Sequence, residues 1–519
     1  MAGGTTVRTT TTLTGLSGTG VFIYPSGPLP RLRADNRRAA VCIVAPFPWG
    51  PANTIWKVTS GSDLLARHMP VPDATVFPCL AGLPWRDLYV VRALGGSSAA
   101  ATLTFDDALS ADSLTVTAAY HGALGNLVKI DITANVDVGT SRDVRVRVYS
   151  DSGHTSTVHD VTYTAVQVSN GTVTDPGDPY VTMAKASGAT APAAAAASFL
   201  ASGSDGTLTG SLYGDALATA GGTAHGIGIV CFAGVATALC GDVNDELKAF
   251  LADEAGEDKI GIGPTPGAQS AASTITEVGA YDQQRMVRMW PRVQRYTSYH
   301  YQGVSSASTY TVCGGAAMAC FIQNCDPWEA PMMSVVSDKR LNGSIIGLET
   351  AYETTGLSTY GSLEDAGVAP WFHHQDFGVV PKASNTTLID AGVVEPIEER
   401  RYIMLLESTI AAYDERYLGR PLDVDLANNR LGTVTGQNVA AITTFLASEE
   451  RAGRLIAGLN DDGSDSPAYD VDAFSLATSE NLAAGRWDKA VSCRITPAAK
   501  QIVIHSRMAR SVNIVRQVA

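Results

Sequence analysis

Short apolar runs mark the first structured part of the chain. The run Val41–Ala45 is wholly apolar, as is typical of a strand buried on both faces, and Ile55–Thr59 and Leu88–Arg92 predict two further strands. Ser60 or Ser62 can cap the helix that starts after the second strand, because a serine side chain accepts a hydrogen bond from the first helical turn. These patterns predict a compact α/β unit.

The pattern changes to alternation after residue 102. Four segments alternate apolar with polar side chains, and they begin at Leu114, Val128, Val144 and Val161. A period of two with polar partners is typical of antiparallel strands that have one exposed face. We therefore expect a β domain inserted into the α/β part of the chain.

Strand and helix patterns alternate again after residue 200. Gly226–Phe232 predicts a buried strand, Asp242–Leu251 an amphipathic helix and Lys259–Gly263 the next strand. Strand, helix and strand in this order favour a parallel pair with a right-handed crossover. Further along, Tyr402–Thr409 and Val439–Leu446 have the apolar spacing of core-facing helices.

The 519 residues are enough for about three or four domains, at ~100–200 residues each. The patterns predict an α+β multidomain protein with α/β core domains, an inserted antiparallel β domain and extended N- and C-terminal arms. The predicted boundaries are an N-terminal arm over 1–24, the first part of the α/β core over 25–98, the inserted β-rich outer domain over 99–200, an α/β middle domain over 201–368, a C-terminal α/β domain over 369–505 and a C-terminal arm over 506–519.

Charge is distributed unevenly along the chain. The net charge is −14, but residues 1–40 carry +4 and residues 486–519 carry +6, so the part between them carries −24. Because like charges repel, we do not expect a body this acidic to coat nucleic acid or an anionic membrane. Three explanations of the basic ends are open. The charges are clustered by chance, the ends bind nucleic acid, or each end contacts the acidic body of another copy. Because both ends are also β-prone, we favour self-association.

The sequence carries no targeting or membrane signal that we can identify. Its start has neither a charged region nor an apolar region of the secretory type, and no run of about 18 apolar residues occurs. We therefore expect that the chain does not insert into a membrane. We also expect that it is made in a cytoplasm and stays there until it is released.

Catalytic and ligand-binding motifs are also missing, so we predict no enzyme, no cofactor and no metal. His373 and His374 with Asp376 invite a metal hypothesis, but adjacent histidines in a strand point to opposite sides, which favours a polar loop or interface. Glu398 and Glu399 are interpreted as a solvated face. The eight cysteines are either buried thiols or pairs that form after release from the reducing cell.

Five segments, taken in order, resemble the phage tail sheath family of contractile, myophage-type tails. They are AVCIVAPFPWGPANTIWKVTSGSDLLARHM (40–69), LYVVRALGG (88–96), TAAYHGALGNLVKIDI (117–132), ASGSDGTLTGSLYGDAL (201–217) and RWDKAVSCRITPAAKQIVIHSRM (486–508). They are similar to the family's opening strand and aromatic-Gly-Pro turn, its next strand, its Gly-Asn segment, its Gly-Ser-Asp-Gly segment and its late strands.

The resemblance implies a structural subunit that polymerises as stacked six-fold rings around a tail tube and contracts to drive the tube through the host envelope. Its implied partners are other copies of itself, the tail tube protein, and the baseplate and tail terminator proteins. The implied location is the virion tail, after assembly in the host cytoplasm. Alternatives are the sheath of a bacterial contractile injection system or tailocin, an extracellular β-rich surface protein, or a hydrolase with scattered catalytic residues.

The resemblance also implies that terminal arms complete a sheet in the next copy. The segments 5–12 and 511–518 suit this role because they are β-prone and too short to close a sheet, although both ends could instead pair within their own domain. The residues assigned to this inter-subunit lacing are Thr6, Val7, Thr9, Val512, Ile514 and Val515.

In this family the C-terminal domain faces the tube, through a helix. Our candidate is Val439–Gly458, and its charged positions, proposed as tube contacts, are Glu449, Glu450, Arg451 and Arg454. The alternative is an ordinary helix with a solvated face. Cys42 and Cys493 lie near the two laced ends and are candidates for inter-subunit disulfides.

Overall fold

A computed structural model describes residues 40–496, apart from 135–140, 170–171, 187–190, 222–226, 254–255, 257, 334–344, 351–355, 375, 391–392 and 460–463. The described residues divide into two compact units, a larger unit that ends at residue 418 and a smaller unit that begins at residue 419.

The first part of the larger unit contains the strands expected from the apolar runs, each confirmed to within one residue. Ser60 caps the first helix, since its hydroxyl accepts a hydrogen bond from the backbone nitrogen of Asp63 at 3.1 Å. The elements are β1 (Ala40–Ala45), β2 (Ile55–Val58), α1 (Gly61–His68), α2 (Phe77–Leu80) and β3 (Leu88–Arg92).

The next part is the inserted β domain, and its antiparallel sheets confirm the prediction from period-two alternation. One sheet has the order β10-β5-β4 and the other the order β11-β6-β7-β8-β9, and their apolar faces enclose a core of their own. The strands are β4 (Thr102–Asp106), β5 (Asp112–Ala118), β6 (Val128–Ala134), β7 (Ser141–Tyr149), β8 (Thr157–Ser169), β9 (Thr172–Val173), β10 (Val181–Lys185) and β11 (Ala195–Phe199).

After the insertion the chain returns to alternating helices and strands. The elements are α3 (Gly210–Gly221), β12 (Ile227–Phe232), α4 (Cys240–Ala252), β13 (Ile260–Gly263), α5 (Ala271–Val278), β14 (Met286–Trp290), β15 (Val293–Tyr301), β16 (Val304–Val312), α6 (Gly315–Asn324), β17 (Ile345–Leu348), α7 (Leu357–Asp365), β18 (Val368–His374), β19 (Gly378–Pro381), β20 (Asn385–Asp390), β21 (Val393–Pro396) and α8 (Ile397–Glu415).

An eight-stranded sheet joins the parts before and after the insertion. Its order is β19-β18-β14-β13-β12-β1-β3-β2, with six parallel strands in the middle and one antiparallel strand at each edge. The parallel pairing of β12 with β13 confirms the crossover predicted from the sequence. Successive residues of β1 pack on opposite faces, against α3 and α4 on one side and α1, α2 and α6 on the other.

Helix α8 differs from the sequence expectation. Glu398, predicted on a solvated face, is buried and accepts a hydrogen bond from the hydroxyl of Ser384. Arg400 and Arg401 are buried beside it, and Arg401 donates to the carbonyl oxygen of Cys325 at 3.3 Å. The first half of the helix therefore packs inside the unit despite its four consecutive charges, because tertiary partners replace water.

The described residues of the smaller unit form short strands, one long helix and one short helix. The elements are β22 (Val424–Asp425), β23 (Arg430–Leu431), α9 (Thr433–Arg451), β24 (Gly458–Leu459), β25 (Asp465–Ser466), β26 (Tyr469–Asp472), α10 (Ser479–Ala483) and β27 (Ala490–Cys493). β26 and β27 form a two-stranded antiparallel sheet. The helix predicted around Val439–Leu446 is confirmed and ends at Arg451, followed by Gly453 with a positive φ of 73°.

Candidate assembly surfaces and the domain junction

The residues assigned to lacing lie outside the described residues: Thr6, Val7, Thr9, Val512, Ile514 and Val515. The structure does show what precedes the C-terminal segment. Residues 494–496 are held against the chain that follows α9, where the backbone nitrogen of Ile456 donates to Arg494 oxygen at 3.0 Å and that of Thr496 donates to Arg454 oxygen at 2.9 Å. The chain therefore runs to residue 496 as an anchored strand-like segment.

The four candidate tube-contact residues differ in what they do. Glu449 is 6% exposed, and its two carboxylate oxygens each accept from Nη1 of Arg454 at 2.8 Å. This ion pair links the last turn of α9 to the segment that receives residues 494–496. Glu450 and Arg451 are exposed. Only the latter two present their charges outward, so Glu449 and Arg454 have a structural role in the described unit.

We expect Arg454→Ala to lower the free energy of unfolding of the smaller unit by about 2–3 kcal/mol, because a largely buried carboxylate loses its cation. The exposed neighbour is the matched control, and Arg451→Ala should change that free energy by less than about 0.5 kcal/mol. Chemical denaturation followed by tryptophan fluorescence measures both, since Trp487 lies in this unit. Equal losses in the two variants would contradict the structural role of the ion pair.

The two cysteines proposed for inter-subunit disulfides have different surroundings. Cys42 is fully buried in β1, in the middle of the eight-stranded sheet, and burial raises the pKa of its thiol to about 12. Cys493 is half-buried in β27, and burial raises its pKa to about 11. Disulfide exchange requires an accessible thiolate. A bond through Cys42 would therefore require the sheet to open, whereas Cys493 is nearer the surface.

The histidine pair lies at the end of a strand. His373 and His374 end β18, and Nδ1 of His374 accepts a hydrogen bond from the backbone nitrogen of Asp376 at 3.0 Å. The His374 ring packs on Phe377 with centroids 4.7 Å apart. Both histidines are thus paired in a strand ladder, opposite Val379 and Gly378 of β19, and do not lie in the polar loop that was one of the two sequence interpretations. Within residues 40–496, gaps aside, no three metal-ligating side chains are grouped, and no helix there is long and apolar enough to cross a membrane.

Two of the sequence motifs meet where the inserted domain joins the sheet. Asn126, from the Gly-Asn segment, donates through Nδ2 to Gly203 oxygen and accepts at Oδ1 from Gly203 nitrogen, both at 2.8 Å. Gly122 has a φ of 137°, and a Cβ there would lie 2.7 Å from Oδ1 of Asp205 and 2.8 Å from Nη2 of Arg92. Close packing therefore requires glycine at position 122. The two hydrogen bonds between Asn126 and Gly203 join the two motifs.

The two chain crossings into the insertion are also bonded to each other. Backbone bridges join Gly96 to Thr207, Ala99 to Ser204 and Thr102 to Ala201. Two antiparallel crossings with reciprocal bonds form a ribbon, which resists bending more than two separate linkers would. The insertion is thus fixed to the sheet rather than loosely tethered.

Arg92, the last residue of β3, organises this junction. Its side chain is 1% exposed and donates to the carbonyl oxygens of Phe47 at 2.7 Å, Gly50 at 2.8 Å and Pro48 at 3.4 Å. Its Nη2 also lies 3.5 Å from Oδ1 of Asp205. Burial lowers the pKa of Arg92 to about 10, which leaves the guanidinium charged at neutral pH. The charge therefore binds the turn after β1 to the Gly-Ser-Asp-Gly motif.

The same turn fills the place where doubly wound sheets usually bind ligands. Strand order reverses between β1 and β12, and ligands of such folds bind outside the carboxyl ends of the strands at that point. Here the turn after β1 buries Phe47 in the sheet core, and Trp49 packs edge-on against Tyr120 of the insertion with centroids 5.3 Å apart. The switch point serves as a domain junction in this chain.

Sequence reasoning did not identify Arg92, Asn126 or Asp205 as a set. Each lies within a quoted motif, and the available signal was a single charged residue at the end of an otherwise apolar strand. Its partners are backbone carbonyls, which no side-chain pattern reveals.

No protein-family model and no curated protein sequence matches this chain. Solved structures do resemble it. The sheath tail protein from Desulfitobacterium hafniense is 15% identical, with a TM-score of 0.54 over 88% of this chain and 93% of that protein. The sheath tail protein from Listeria innocua is 14% identical, with a TM-score of 0.51 over 89% and 97%.

A third similar structure is a chain of the anti-feeding prophage baseplate in its six-fold symmetrised cryo-EM structure. It is 13% identical, with a TM-score of 0.50 over 95% of this chain and all of that chain. At such low identity the likeness is one of fold, yet it extends over nearly the whole of each molecule. The chain therefore has the fold of the tail sheath proteins.

Proposed function

We propose that this chain is a structural subunit of a contractile tail sheath. The observation that carries the proposal is the match of fold over 88% of this chain and 93% of the Desulfitobacterium sheath tail protein. Because the likeness includes almost all of both molecules, it concerns the whole architecture and not one widespread domain.

In the proposed assembly, copies form stacked six-fold rings around a tail tube and contract to drive the tube through the host envelope. The partners are other copies, the tube protein, and baseplate and terminator proteins, in a virion tail assembled in the host cytoplasm. Similarity to a chain of the anti-feeding prophage baseplate favours a second candidate, the sheath of a bacterial contractile injection system or tailocin.

Contraction of this kind needs rigid bodies that change their contacts without unfolding. The bonded ribbon between the sheet and the insertion, with the Asn126–Gly203 pair and the Arg92 clamp, supports this requirement. We infer that the larger unit moves as one body during contraction and that the changes occur between subunits.

Lacing by the terminal arms is the second part of the proposal. The anchored segment 494–496, which the proposed C-terminal arm follows in the chain, lies in the same unit as the sheet of β26 and β27. A two-stranded sheet is marginal in water and gains stability from a third strand, which an arm of another copy would supply.

Negative-stain microscopy of the purified chain tests the proposal. We expect hollow tubes or six-fold rings under assembly conditions. Deletion of 1–20 or of 506–519 should abolish these polymers and leave the monomer folded by circular dichroism. A chain that stays monomeric under all assembly conditions contradicts the sheath proposal, and normal tubes from either deletion contradict lacing alone.

The tube contact is tested on the exposed pair only. Glu450→Arg with Arg451→Glu reverses two outward charges of α9 and leaves the Glu449–Arg454 ion pair in place. We expect fewer sheaths formed on purified tubes, without loss of thermal stability. Arg430→Glu, an exposed reversal on β23 of the same unit, is the control. Undiminished assembly of the double variant on tubes would remove α9 as the contact.

A further inference from the structure

The sheet of β15, β16 and β17 has one covered face and one open face in the larger unit. On the covered face, Arg295 of β15 is buried and donates to the carbonyl oxygens of Pro78 and Cys79 in α2 at 2.8 and 2.7 Å. On the same face the hydroxyl of Tyr299 donates to Met69 oxygen at 3.0 Å. These contacts fix the sheet to the body of the larger unit, so the open face is a rigid surface.

The open face carries hydroxyl and apolar side chains, and we call it the hydroxyl face. Residues opposite each other in an antiparallel ladder point to the same side, so this face contains three cross-strand pairs, all of them exposed. They are Tyr296 with Thr309, Ser298 with Ala307, and His300 with Ser305. Ile346 of β17 joins them, since its neighbour Ile345 is buried opposite Arg295. Tyr296 and Ile346, at 53% and 54% exposure, are large apolar side chains in contact with water.

The lack of charge on this face extends along the sequence. Residues 296–325 contain no aspartate, glutamate, lysine or arginine, although these residues make up 17% of the chain. Helix α6, in the second half of this stretch, is buried over most of its length, which explains its apolar composition. The first half forms the exposed hairpin of β15 and β16, so burial within the larger unit does not explain the lack of charge there.

A second open sheet face, on β6, β7 and β8 of the insertion, is charged. There Arg145 and Asp160 form an ion pair at 2.7 Å, and Arg147 lies 3.8 Å from Asp131. Charged side chains of both signs keep an exposed face hydrated and oppose association. The hydroxyl face lacks this protection. Depletion of charge together with an exposed aromatic side chain is typical of the centre of a protein–protein interface.

We propose that the hydroxyl face packs against a second copy of the chain in the assembled sheath. The inference rests on the proposed function, and it adds the part of the larger unit through which copies meet. The contact is made by side chains of a preformed sheet, so both copies keep their backbone conformation when they meet.

Charge favours another copy as the occupant of the hydroxyl face. Each copy has a net charge of −14, so two copies repel each other wherever their acidic surfaces approach. A partner of different sequence can offset that repulsion with an opposite net charge, whereas an identical copy cannot. Copies therefore meet at least cost on a surface that has no charge to desolvate. Hydroxyl groups both donate and accept hydrogen bonds, so this face needs no partner surface of fixed polarity.

Self-assembly of the purified full chain tests this occupant, because no other protein is present. Thr309→Glu places a carboxylate on the hydroxyl face. Thr162→Glu, its matched control, places the same group at an exposed position opposite Arg145 on the charged face of the insertion, so both variants have the same net charge. We expect Thr309→Glu to raise the critical concentration for polymers at least about tenfold, since a carboxylate between copies loses water without gaining a partner. Thr162→Glu should assemble as wild type does, as measured by sedimentation.

Thiol protection gives a second readout that introduces no charge. The variants Thr309→Cys and Thr162→Cys are treated with a maleimide as monomers and as polymers. Because the reagent needs an accessible thiolate, we expect Thr309→Cys to react about tenfold more slowly in polymers than in monomers. Thr162→Cys should react at similar rates in both states. Wild-type chain reports any labelling of the native cysteines.

Assembly of Thr309→Glu at the wild-type concentration, or equal reaction of Thr309→Cys in monomers and polymers, would overturn the inference and leave the proposed function standing. An equal loss of assembly in Thr162→Glu would overturn it too, since any added charge would then have the same effect. If wild-type chain formed no polymer, the proposed function would fail together with the inference. Circular dichroism of the monomers checks the fold, and if Thr309→Glu changed it, the thiol measurement would decide.

Discussion

Replacement of Arg92 by alanine is expected to lower the free energy of unfolding of the larger unit by about 3–5 kcal/mol. The side chain is buried, and its removal leaves a cavity and deprives three carbonyl oxygens, those of Phe47, Pro48 and Gly50, of their donor. Asp205 also loses its cation, but its side chain is 55% exposed and can be hydrated. Chemical denaturation of the full chain, followed by far-UV circular dichroism, measures the change.

Two variants separate the geometry of the clamp from its charge. Arg92→Lys keeps the positive charge but lacks the fork of donors that reaches several carbonyls, so we expect a smaller but clear loss of stability. Arg145→Ala removes an exposed cross-strand partner of Asp160 and should leave stability unchanged. If Arg92→Ala lost no more stability than Arg145→Ala, the proposed role of Arg92 would be contradicted.

The second large effect concerns Glu395 and Glu407, which flank Arg400. Burial raises the pKa of each carboxyl to about 7, and the charge of Arg400 opposes the rise in both. Glu399 acts on Glu395 in the same direction as burial, and Arg285 acts on Glu407 in the direction of Arg400. One carboxylate oxygen of each glutamate is buried without a donor in the described structure.

The sign of the pH effect follows from these raised values. Protons bind more tightly in the folded state, so the stabilisation is complete below the unfolded pKa near 4.5 and is lost as pH rises through about 7. Glu407→Gln removes the ionisation. We expect that variant to be more stable than wild type by roughly 2–3 kcal/mol at pH 8, with the difference vanishing as pH falls below the unfolded pKa near 4.5.

Denaturation of both proteins between about pH 4 and pH 8 provides the measurement. Glu395→Gln should behave in the same way, with a smaller gain when combined with Glu407→Gln, since the two groups interact. Glu450→Gln, which removes an exposed carboxylate from the smaller unit, is the matched control. If the difference in free energy of unfolding between wild type and Glu407→Gln were constant over this pH range, the effect would be refuted.

The sequence predicted the regular elements well for a physical reason. Strands buried on both faces, such as β1 and β3, need uninterrupted apolar runs, and the strands of the insertion need alternation, so burial leaves a direct record in the sequence. The parallel pairing of β12 with β13 followed from the order of the elements. The Gly-Asn and Gly-Ser-Asp-Gly motifs also indicated the fold correctly.

Interactions that depend on tertiary contact were not predictable in the same way. The charged run at the start of α8 has the composition of a solvated face, yet Glu398 and Arg401 are buried because Ser384 and the Cys325 carbonyl bond to them. Glu449 likewise has the appearance of a surface residue until Arg454 folds back on it. For Arg92 the partners are backbone oxygens, whose positions depend on the completed fold.

The most direct test of the central claim is to locate the chain in intact particles. A peptide tag in the exposed β7–β8 turn at Ser152–Gly153, labelled with gold, should mark the outer shell of the tail along its whole length. After contraction the marked shell should shorten and leave an unlabelled tube protruding. Label confined to the tip of the tail or to another part of the particle, or a shell that carries none, would contradict the account of this chain as the sheath subunit.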